Sequence, residues 1–243
     1  MSLEGSIRAW LHAATHIAVL TGAGVSAESG VPTFRDAQTG LWARYRPEEL
    51  ATEAAFRRDP GRVWAWYAER RAKLQGVQPN DGHRALAAFA QRHPGRMTLM
   101  TQNVDGLHRR AGSEGVLCLH GDLFEDRWLD TPRDCCRIDD ACAGYPPYCD
   151  RCGNRVRPGV VWFGEPLPFA ALDAAQRAAR TCEVMLVIGS SGVVYPAAGL
   201  AQRARSAGAK VVIVNPEPTA LDEIAHAVLA GTSAQTLPRL CEL

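Results

Sequence analysis

The sequence predicts an α/β chain: a parallel sheet with helices on both faces, and a small helical and cysteine-bearing domain inserted into it. Three observations carry that expectation. Short apolar runs of strand length alternate with amphipathic helical stretches along most of the chain, as expected for strands buried on both faces. The run Ile17 to Leu20 leads directly into Gly22, Gly24 and Ala27. That G-x-G-x-x-A spacing lets the backbone turn sharply beside a pyrophosphate and lets a following helix pack near its strand, which makes the sheet Rossmann-like. Finally, the stretch from Leu123 to Pro158 breaks the alternation, being polar, proline-bearing and holding five of the eight cysteines.

Taken in order, Ile7 to Thr15 reads as a first helix and Ile17 to Leu20 as the first strand. Asp36 to Thr52 is irregular. Ala54 to Gln75 is helical with a break near Pro60, and places Tyr67 and Arg70 three apart on one face. Asn80 or Asp81 caps a helix running from His83 to His93. Met97 to Thr101 and Gly115 to Leu119 are the second and third strands. Beyond the cysteine module, strands at Val160 to Phe163, Val184 to Gly189 and Val211 to Val214 alternate with helices near Phe169 to Arg180, Pro196 to Ala207 and Ala220 to Ala230. The expected dinucleotide-binding domain is residues 1–31, 76–123 and 159–243. The small domain combines a helical insertion, 32–75, with a zinc-ribbon-like cysteine module, 124–158.

Composition narrows the function classes. The 243 residues carry a formal net charge of +1, which gives no basic footprint for nucleic acid. No apolar run approaches the roughly 20 residues that cross a bilayer. The N-terminus mixes Glu4, Arg8, His12 and His16 into an amphipathic pattern that does not resemble a secretory signal. A cytoplasmic protein is expected, and there clustered cysteines read as metal ligands rather than disulfides. Cys118, Cys182 and Cys241 are isolated and read as core filling. Around the module Arg133, Arg137, Arg151, Arg155 and Arg157 interleave with Asp130, Asp134, Asp139, Asp140 and Asp150, which reads as a solvated face of mixed charge.

A ligand of such a sheet lies beyond the carboxyl ends of its strands. Gly22 to Arg35, Thr101 to His108, His120, Gly189 to Ser191 and Asn215 all arrive there. Dehydrogenases of this fold carry an acidic residue after the second strand to hold a ribose. Here Thr101, Gln102 and Asn103 follow that strand, with Asp105 beyond, which argues against hydride transfer. His120, directly after the third strand and beside Gly121, suits a general base toward a sugar hydroxyl. His108 reads as a packing or supporting residue. His83 and His226 fall in predicted helices and carry no such argument.

The ordered segments GAGVSAESGVPTFR (Gly22 to Arg35), TQNVDGLH (Thr101 to His108), LHG (Leu119 to Gly121), VVWFGE (Val160 to Glu165), GSSGVVYPAA (Gly189 to Ala198) and VNPEPT (Val214 to Thr219) resemble those of the sirtuins, NAD-dependent protein lysine deacylases. The resemblance implies that NAD is consumed as a co-substrate and that acylated lysine in an extended peptide is the partner. Gly22, Ala23 and Gly24 would belong to the cofactor loop, with Phe34 and Arg35 closing over NAD. Gln102, Asn103 and Asp105 would line the nicotinamide pocket, Asn103 and Asp105 sharing the catalytic work with the base, His120. Gly189, Ser190, Ser191, Asn215 and Glu217 would hold the adenosine half, and Ser233 would approach the adenine through its backbone. Family members usually carry threonine where Ser190 stands, so the hydroxyl is kept. Val161 to Gly164, including Phe163, would pair with the substrate backbone. The implied reaction begins with attack of the acyl-lysine oxygen on C1′ of the nicotinamide ribose as nicotinamide leaves. His120 then helps deprotonate the ribose so that the 2′-oxygen attacks the imidate, giving free lysine and 2′-O-acyl-ADP-ribose.

The same resemblance refines two sites. The subgroup acting on malonyl- and succinyl-lysine carries a Tyr-x-x-Arg pair in the helical insertion, matched by Tyr67 and Arg70, and a small residue matched by Ala51 that leaves room for a longer acyl chain. A distal carboxylate would pair with the Arg70 fork and the Tyr67 hydroxyl. The family's structural zinc is matched less closely. Cys149-x-x-Cys152 is a half-site, but Trp128 and Thr131 stand where another Cys-x-x-Cys is expected. The remaining ligands would be Cys142 and one of the adjacent pair Cys135 and Cys136. Mono-ADP-ribosyl transfer to protein and a non-catalytic NAD-sensing module are the competing readings. Neither a membrane nor a specific nucleic acid is expected as a partner.

Overall fold

The computed structural model describes residues 2–33, 46–137 and 144–242. Six parallel strands form the central sheet: β1 (Ile17–Thr21), β2 (Met97–Thr101), β3 (Leu117–Cys118), β6 (Val184–Ile188), β7 (Lys210–Val214) and β8 (Ala227–Leu229). Their spatial order is β3-β2-β1-β6-β7-β8, the doubly wound dinucleotide arrangement whose crevice opens where the order reverses, between β1 and β6. Two shorter strands, β4 (Gly121–Trp128) and β5 (Val156–Val160), make a separate antiparallel ribbon.

Alternation along each central strand feeds two cores. Ile17, Val19, Leu99, Val184, Leu186, Ile188, Val212 and Val214 point to one face. There they meet α1 (Leu3–Ala13), α5 (Asp81–Arg92) and α9 (Ser233–Cys241). Ala18, Leu20, Met100, Met185, Val187, Val211 and Ile213 point to the other, against α7 (Phe169–Thr181) and α8 (Gly199–Ser206). This two-faced burial is why the strands read as unbroken apolar runs. A third core joins α2 (Pro47–Leu50), α3 (Glu53–Arg58) and α4 (Pro60–Gln75) to the ribbon through Phe56, Val63, Trp64, Trp66, Tyr67, Leu123, Val156, Val160 and Trp162. The remaining helix, α6 (Leu107–Arg110), follows β2.

The structure departs from the sequence reading at several elements. The segment after the first glycine is a 3-10 helix, Ala23–Ser29, closed by Gly30 at φ 84°, not the start of an α-helix. Val160 to Phe163 is not a central strand: β5 ends at Val160 and lies in the ribbon. Ala220 to Ala230 is not helical. It holds a short 3-10 turn, Asp222–Ile224, and then β8, so His226 stands outside any helix. Helix α9 was not anticipated, because Pro238 inside it reads as a breaker. Arg157 does not sit on a solvated face; it is 2 % exposed. No helix among the described residues is long and apolar enough to cross a membrane.

Candidate active site

The loops after β1, β2, β3, β6 and β7 meet along one edge. At the crossover the first and fourth of them interlock through glycine. The Gly24 amide donates to the Gly189 carbonyl at 2.8 Å and the Gly22 amide to that of Ile188 at 3.0 Å. A Cβ on Gly22 would stand 2.7 Å from the Gly189 carbonyl oxygen, and one on Gly189, which holds φ +60°, 2.3 Å from the Val25 nitrogen. These glycines are thus required first by loop-to-loop contact, which shapes the floor of the crevice. Ala23, next to them, begins the 3-10 turn. Gln102 Nε2 bridges the crevice by donating to Ser190 Oγ at 3.0 Å.

His120 lies in the two-residue turn between β3 and β4. Its Nδ1 lies 2.8 Å from the Gln102 carbonyl oxygen. A carbonyl only accepts, so Nδ1 carries the proton and Nε2 is left as a lone-pair acceptor. Burial lowers the imidazole pKa below its ordinary 6.5 and outweighs the opposite pull of that carbonyl, so His120 is neutral at pH 7. The next residue, Gly121, sits at φ +78° with the Gly159 carbonyl where a Cβ would go; only glycine lets the ribbon start this close.

Asn103 and Asp105 are held from behind by Ser26, with His83 on that hydroxyl, two residues given no role from sequence; His108, read as a packing or supporting residue, is buried beside them. Asp105, 5 % exposed, accepts from the Ser26 hydroxyl at 2.8 Å and the Leu107 amide at 2.9 Å. Burial raises its pKa, and the Leu107, Ser26 and Asn103 hydrogen bonds oppose the shift. Asn103 Nδ2 donates to the Gly22 carbonyl at 3.1 Å and to Ser26 Oγ at 3.2 Å. His83 Nε2 is 3.3 Å from the same Ser26 Oγ, and its ring lies 4.8 Å from that of His108. His108 Nε2 contacts Thr21 Oγ1 at 2.9 Å, while its Nδ1 has no hydrogen-bond partner. Burial pushes the two imidazoles down to about 4 and about 3. The available sequence signal was a histidine at the third helical position after an Asn cap, where it completes a capping box.

On the far side of the switch point, Ser191 and Asn215 are half-buried and Glu217 is exposed. Asn215 Nδ2 donates to the Glu217 carbonyl. Ser233 is buried at the start of α9, its hydroxyl donating to the Val25 carbonyl at 3.1 Å, which ties that helix to the glycine loop. Phe34 and Arg35 lie outside the described residues.

Ala51, Tyr67 and Trp162 belong to the third core. Ala51 is 9 % exposed and its carbonyl accepts the Phe163 amide at 2.9 Å, while the Val161 amide donates to the His120 carbonyl at 2.8 Å. Both of those N–H groups are therefore spent inward. The Tyr67 hydroxyl accepts the Trp162 indole N–H at 3.0 Å, which leaves its own proton to donate elsewhere. Arg70, half-buried, stacks its guanidinium 4.6 Å from the Trp66 ring centroid and 5.8 Å from that of Tyr67. Among the described residues it has no carboxylate partner. Burial lowers its pKa.

The sulfurs of Cys135, Cys136, Cys149 and Cys152 all lie within 4.8 Å of one another. Tetrahedral zinc with bonds near 2.3 Å needs sulfur pairs about 3.8 Å apart, so the four-cysteine cluster fits a structural zinc. Four thiolates leave no position for water. Both members of the adjacent pair join the cluster, where the sequence reading took only one of them. Cys142 lies outside the described residues. Cys182 and Cys241 are core residues whose thiols burial pushes up to about 11 and about 12.

A doubly wound crevice, with a neutral imidazole hydrogen-bonded to the loop after β2 and no acidic residue directly after that strand, suits a dinucleotide used otherwise than for hydride transfer. The model of the Sir2 family matches residues 22–196. An "NAD-dependent protein deacylase" of Ralstonia nicotianae is 58% identical over 235 residues, 96% of this chain and 94% of that one. Among solved structures, a Sir2 homolog–NAD complex aligns with a TM-score of 0.86 at 43% identity, covering 98% of this chain and 92% of the other. A Sir2 complex with a p53 peptide and NAD+ aligns at 0.83 and 32% identity, covering 100% and 98%. The chain belongs to the Sir2 family.

Proposed function

We propose that the chain is an NAD-dependent protein lysine deacylase that prefers succinyl- and malonyl-lysine to acetyl-lysine. The observation that carries the chemistry is the His120 tautomer: Nδ1 is committed to the Gln102 carbonyl, so Nε2 is a free base at neutral pH. In the proposed reaction Nε2 accepts the proton of a ribose hydroxyl, and the freed oxygen attacks the imidate formed by the acyl-lysine. Asn103 and Asp105 act on the nicotinamide side, held by Ser26. Gln102, Ser190, Ser191, Asn215, Glu217 and Ser233, with Gly22, Ala23, Gly24, Phe34, Arg35 and Gly189, form the dinucleotide site. Residues 1–31, 76–123 and 159–243 act as the dinucleotide-binding part, and 32–75 with 124–158 as the small domain. Peptide docks as a strand along Val161 to Gly164. Since the Val161 and Phe163 amides are spent, the carbonyls of this segment carry the pairing.

Arg70 supports the acyl preference. A half-buried cation stacked on aromatic rings and lacking a carboxylate among the described residues suits an anionic acyl terminus, and the Tyr67 proton adds a second donor. Action in the cytoplasm is part of this reading, since clustered cysteines there hold metal rather than form disulfides. Mass spectrometry of acetyl-, malonyl- and succinyl-lysine peptides incubated with and without NAD tests the activity. The preference is tested by kcat/KM for succinyl- and acetyl-peptide in Arg70→Met. A charge-assisted hydrogen bond contributes about 1.5–3 kcal/mol, so the succinyl value should fall about 10- to 150-fold with the acetyl value little changed. Equal loss on both substrates would refute the preference.

A further inference from the structure

Against the backbone of Val160 and Trp162 sits an ion pair that neither the chemistry nor the zinc module explains. Arg157 is 2 % exposed. Its guanidinium grips Glu165 with both terminal nitrogens, Nη1 on Oε1 and Nη2 on Oε2 at 3.2 Å, and Nη2 also donates to the Val160 carbonyl at 2.8 Å. Nε reaches the Pro158 carbonyl at 3.3 Å. Glu165 Oε2 in turn accepts the Trp162 amide at 2.8 Å and Arg127 Nη2 at 2.8 Å. The Arg157 guanidinium carbon lies 3.3 Å from the centroid of the Trp162 ring, so cation and carboxylate fix that residue by its backbone and its side chain together. Trp162 is the residue between the two whose amides reach His120 and Ala51, and its indole N–H holds the Tyr67 hydroxyl.

A buried ion pair is a poor way to gain stability, because desolvation consumes most of the Coulomb attraction and apolar replacements of equal volume often do better. Its value lies in specifying one arrangement. We propose that the Arg157–Glu165 pair is a positioning device for the substrate, holding the Val161–Gly164 segment against His120 and, through Trp162, aiming the Tyr67 hydroxyl at the acyl terminus. The inference rests on the deacylase reading above and adds to it residues that touch neither NAD nor acyl-lysine.

The test is steady-state kinetics of the full-length, zinc-replete enzyme with succinyl- and acetyl-lysine peptides. Glu165→Gln keeps the shape and removes the charge. It should raise KM for peptide about tenfold or more, while KM for NAD and kcat stay within about twofold. Trp162→Phe keeps an aromatic ring beside Arg157 and removes the indole N–H together with part of the ring; the succinyl-to-acetyl ratio cancels packing loss common to both substrates. It should cut the succinyl-to-acetyl preference about fivefold, the worth of one neutral hydrogen bond. A rise in KM for NAD equal to that for peptide, or a fall in kcat with KM for peptide unmoved, would overturn the proposal. So would an unchanged acyl preference in Trp162→Phe, and that variant alone decides the matter if Glu165→Gln does not fold. Wild-type enzyme without turnover on any acyl-peptide would sink the deacylase reading and this one with it. Wild-type turnover with unmoved variants sinks the positioning role alone.

Discussion

His83 and His108 make the fold sensitive to acid in a calculable way. Both imidazoles are fully buried, at 0 % and 2 % exposure, and burial pushes their pKa values down to about 4 and about 3. In the unfolded chain each returns to about 6.5. A histidine whose folded pKa lies below its unfolded value takes up a proton on unfolding. Its stabilising contribution is therefore complete above about pH 6.5 and is lost as the pH falls toward 3–4. At pH 5 each residue lies about 1.5 pH units below its unfolded pKa, which costs about 2 kcal/mol at 1.36 kcal/mol per unit, or about 4 kcal/mol for the pair. For a chain of this size that is a drop in Tm of about 8–16 °C between pH 7.5 and pH 5. Asp105, whose pKa is raised by burial, pushes the other way as the pH falls toward its own titration, so the clean readout is a difference between variants. His108→Asn should be less stable than wild type at pH 7.5 because it opens the packing against His83. The stability it loses between pH 7.5 and pH 5 should nonetheless be about 2 kcal/mol smaller. Denaturant melts at the two pH values measure this, and a variant whose pH dependence matches wild type would refute the claim that His108 is neutral in the fold.

Three further outcomes follow from the site. The acid limb of kcat/KM should have its midpoint below pH 6.5, because burial depresses His120, and His120→Ala should lose about 10²–10⁴ in kcat; a midpoint above pH 7 would contradict the neutral tautomer. Gly189→Ala should lose more than ~2 kcal/mol of stability, since φ is +60° and the new Cβ would meet backbone on the Gly24–Val25 side, and thermal melts with and without NAD would expose a variant that tolerates the change. Metal analysis should find one zinc per chain, and Cys136→Ser should lower that content as much as Cys135→Ser does; full zinc in Cys136→Ser would remove Cys136 from the ligand set.

What the sequence made legible was whatever a short local pattern encodes. β1 and β6 are five-residue strands buried throughout, and β7 is buried beyond Lys210, so each is an apolar run bounded by polar or small residues; β2 is buried from Leu99 on. His120 was legible because it closely follows the apolar run that holds β3, although the strand itself stops at Cys118. β5 was misplaced because it contains Pro158 and Gly159, residues that disqualify a central strand but suit a two-stranded ribbon. β8 was hidden by its length of three residues in an alanine-rich stretch. The supporting groups of the site were illegible for a different reason. Ser26 and His83 are 57 positions apart, and nothing near either residue in the sequence announces that a fold will put them 3.3 Å from each other.

Arg157 is the most instructive of these failures. In sequence it is one of several arginines interleaved with aspartates, and a solvated face is the ordinary outcome of that pattern. Its surroundings in the fold decide otherwise: Trp162, a residue of the third core, covers the guanidinium, which lies 3.3 Å from its ring centroid. Once inside, a guanidinium must find acceptors for its donors, and Glu165 with the Val160 and Pro158 carbonyls supplies them. Glu165 stays ionised there: burial pushes its pKa up, but the Arg157 hydrogen bond, the Trp162 amide and the two arginine charges hold it below the usual carboxylate value. The site is therefore flanked by two buried polar systems of opposite kind. Behind Asn103 and Asp105, burial has suppressed charge, leaving two neutral imidazoles in contact, His83 on Ser26 and His108 on Thr21. On the acyl side, burial has kept charge by pairing it. Acid reaches the first system as the pH falls below 6.5, whereas the second holds until the pH falls below the ordinary glutamate value of about 4.5. Fold stability should accordingly weaken at a pH where the peptide-docking segment is still locked in place.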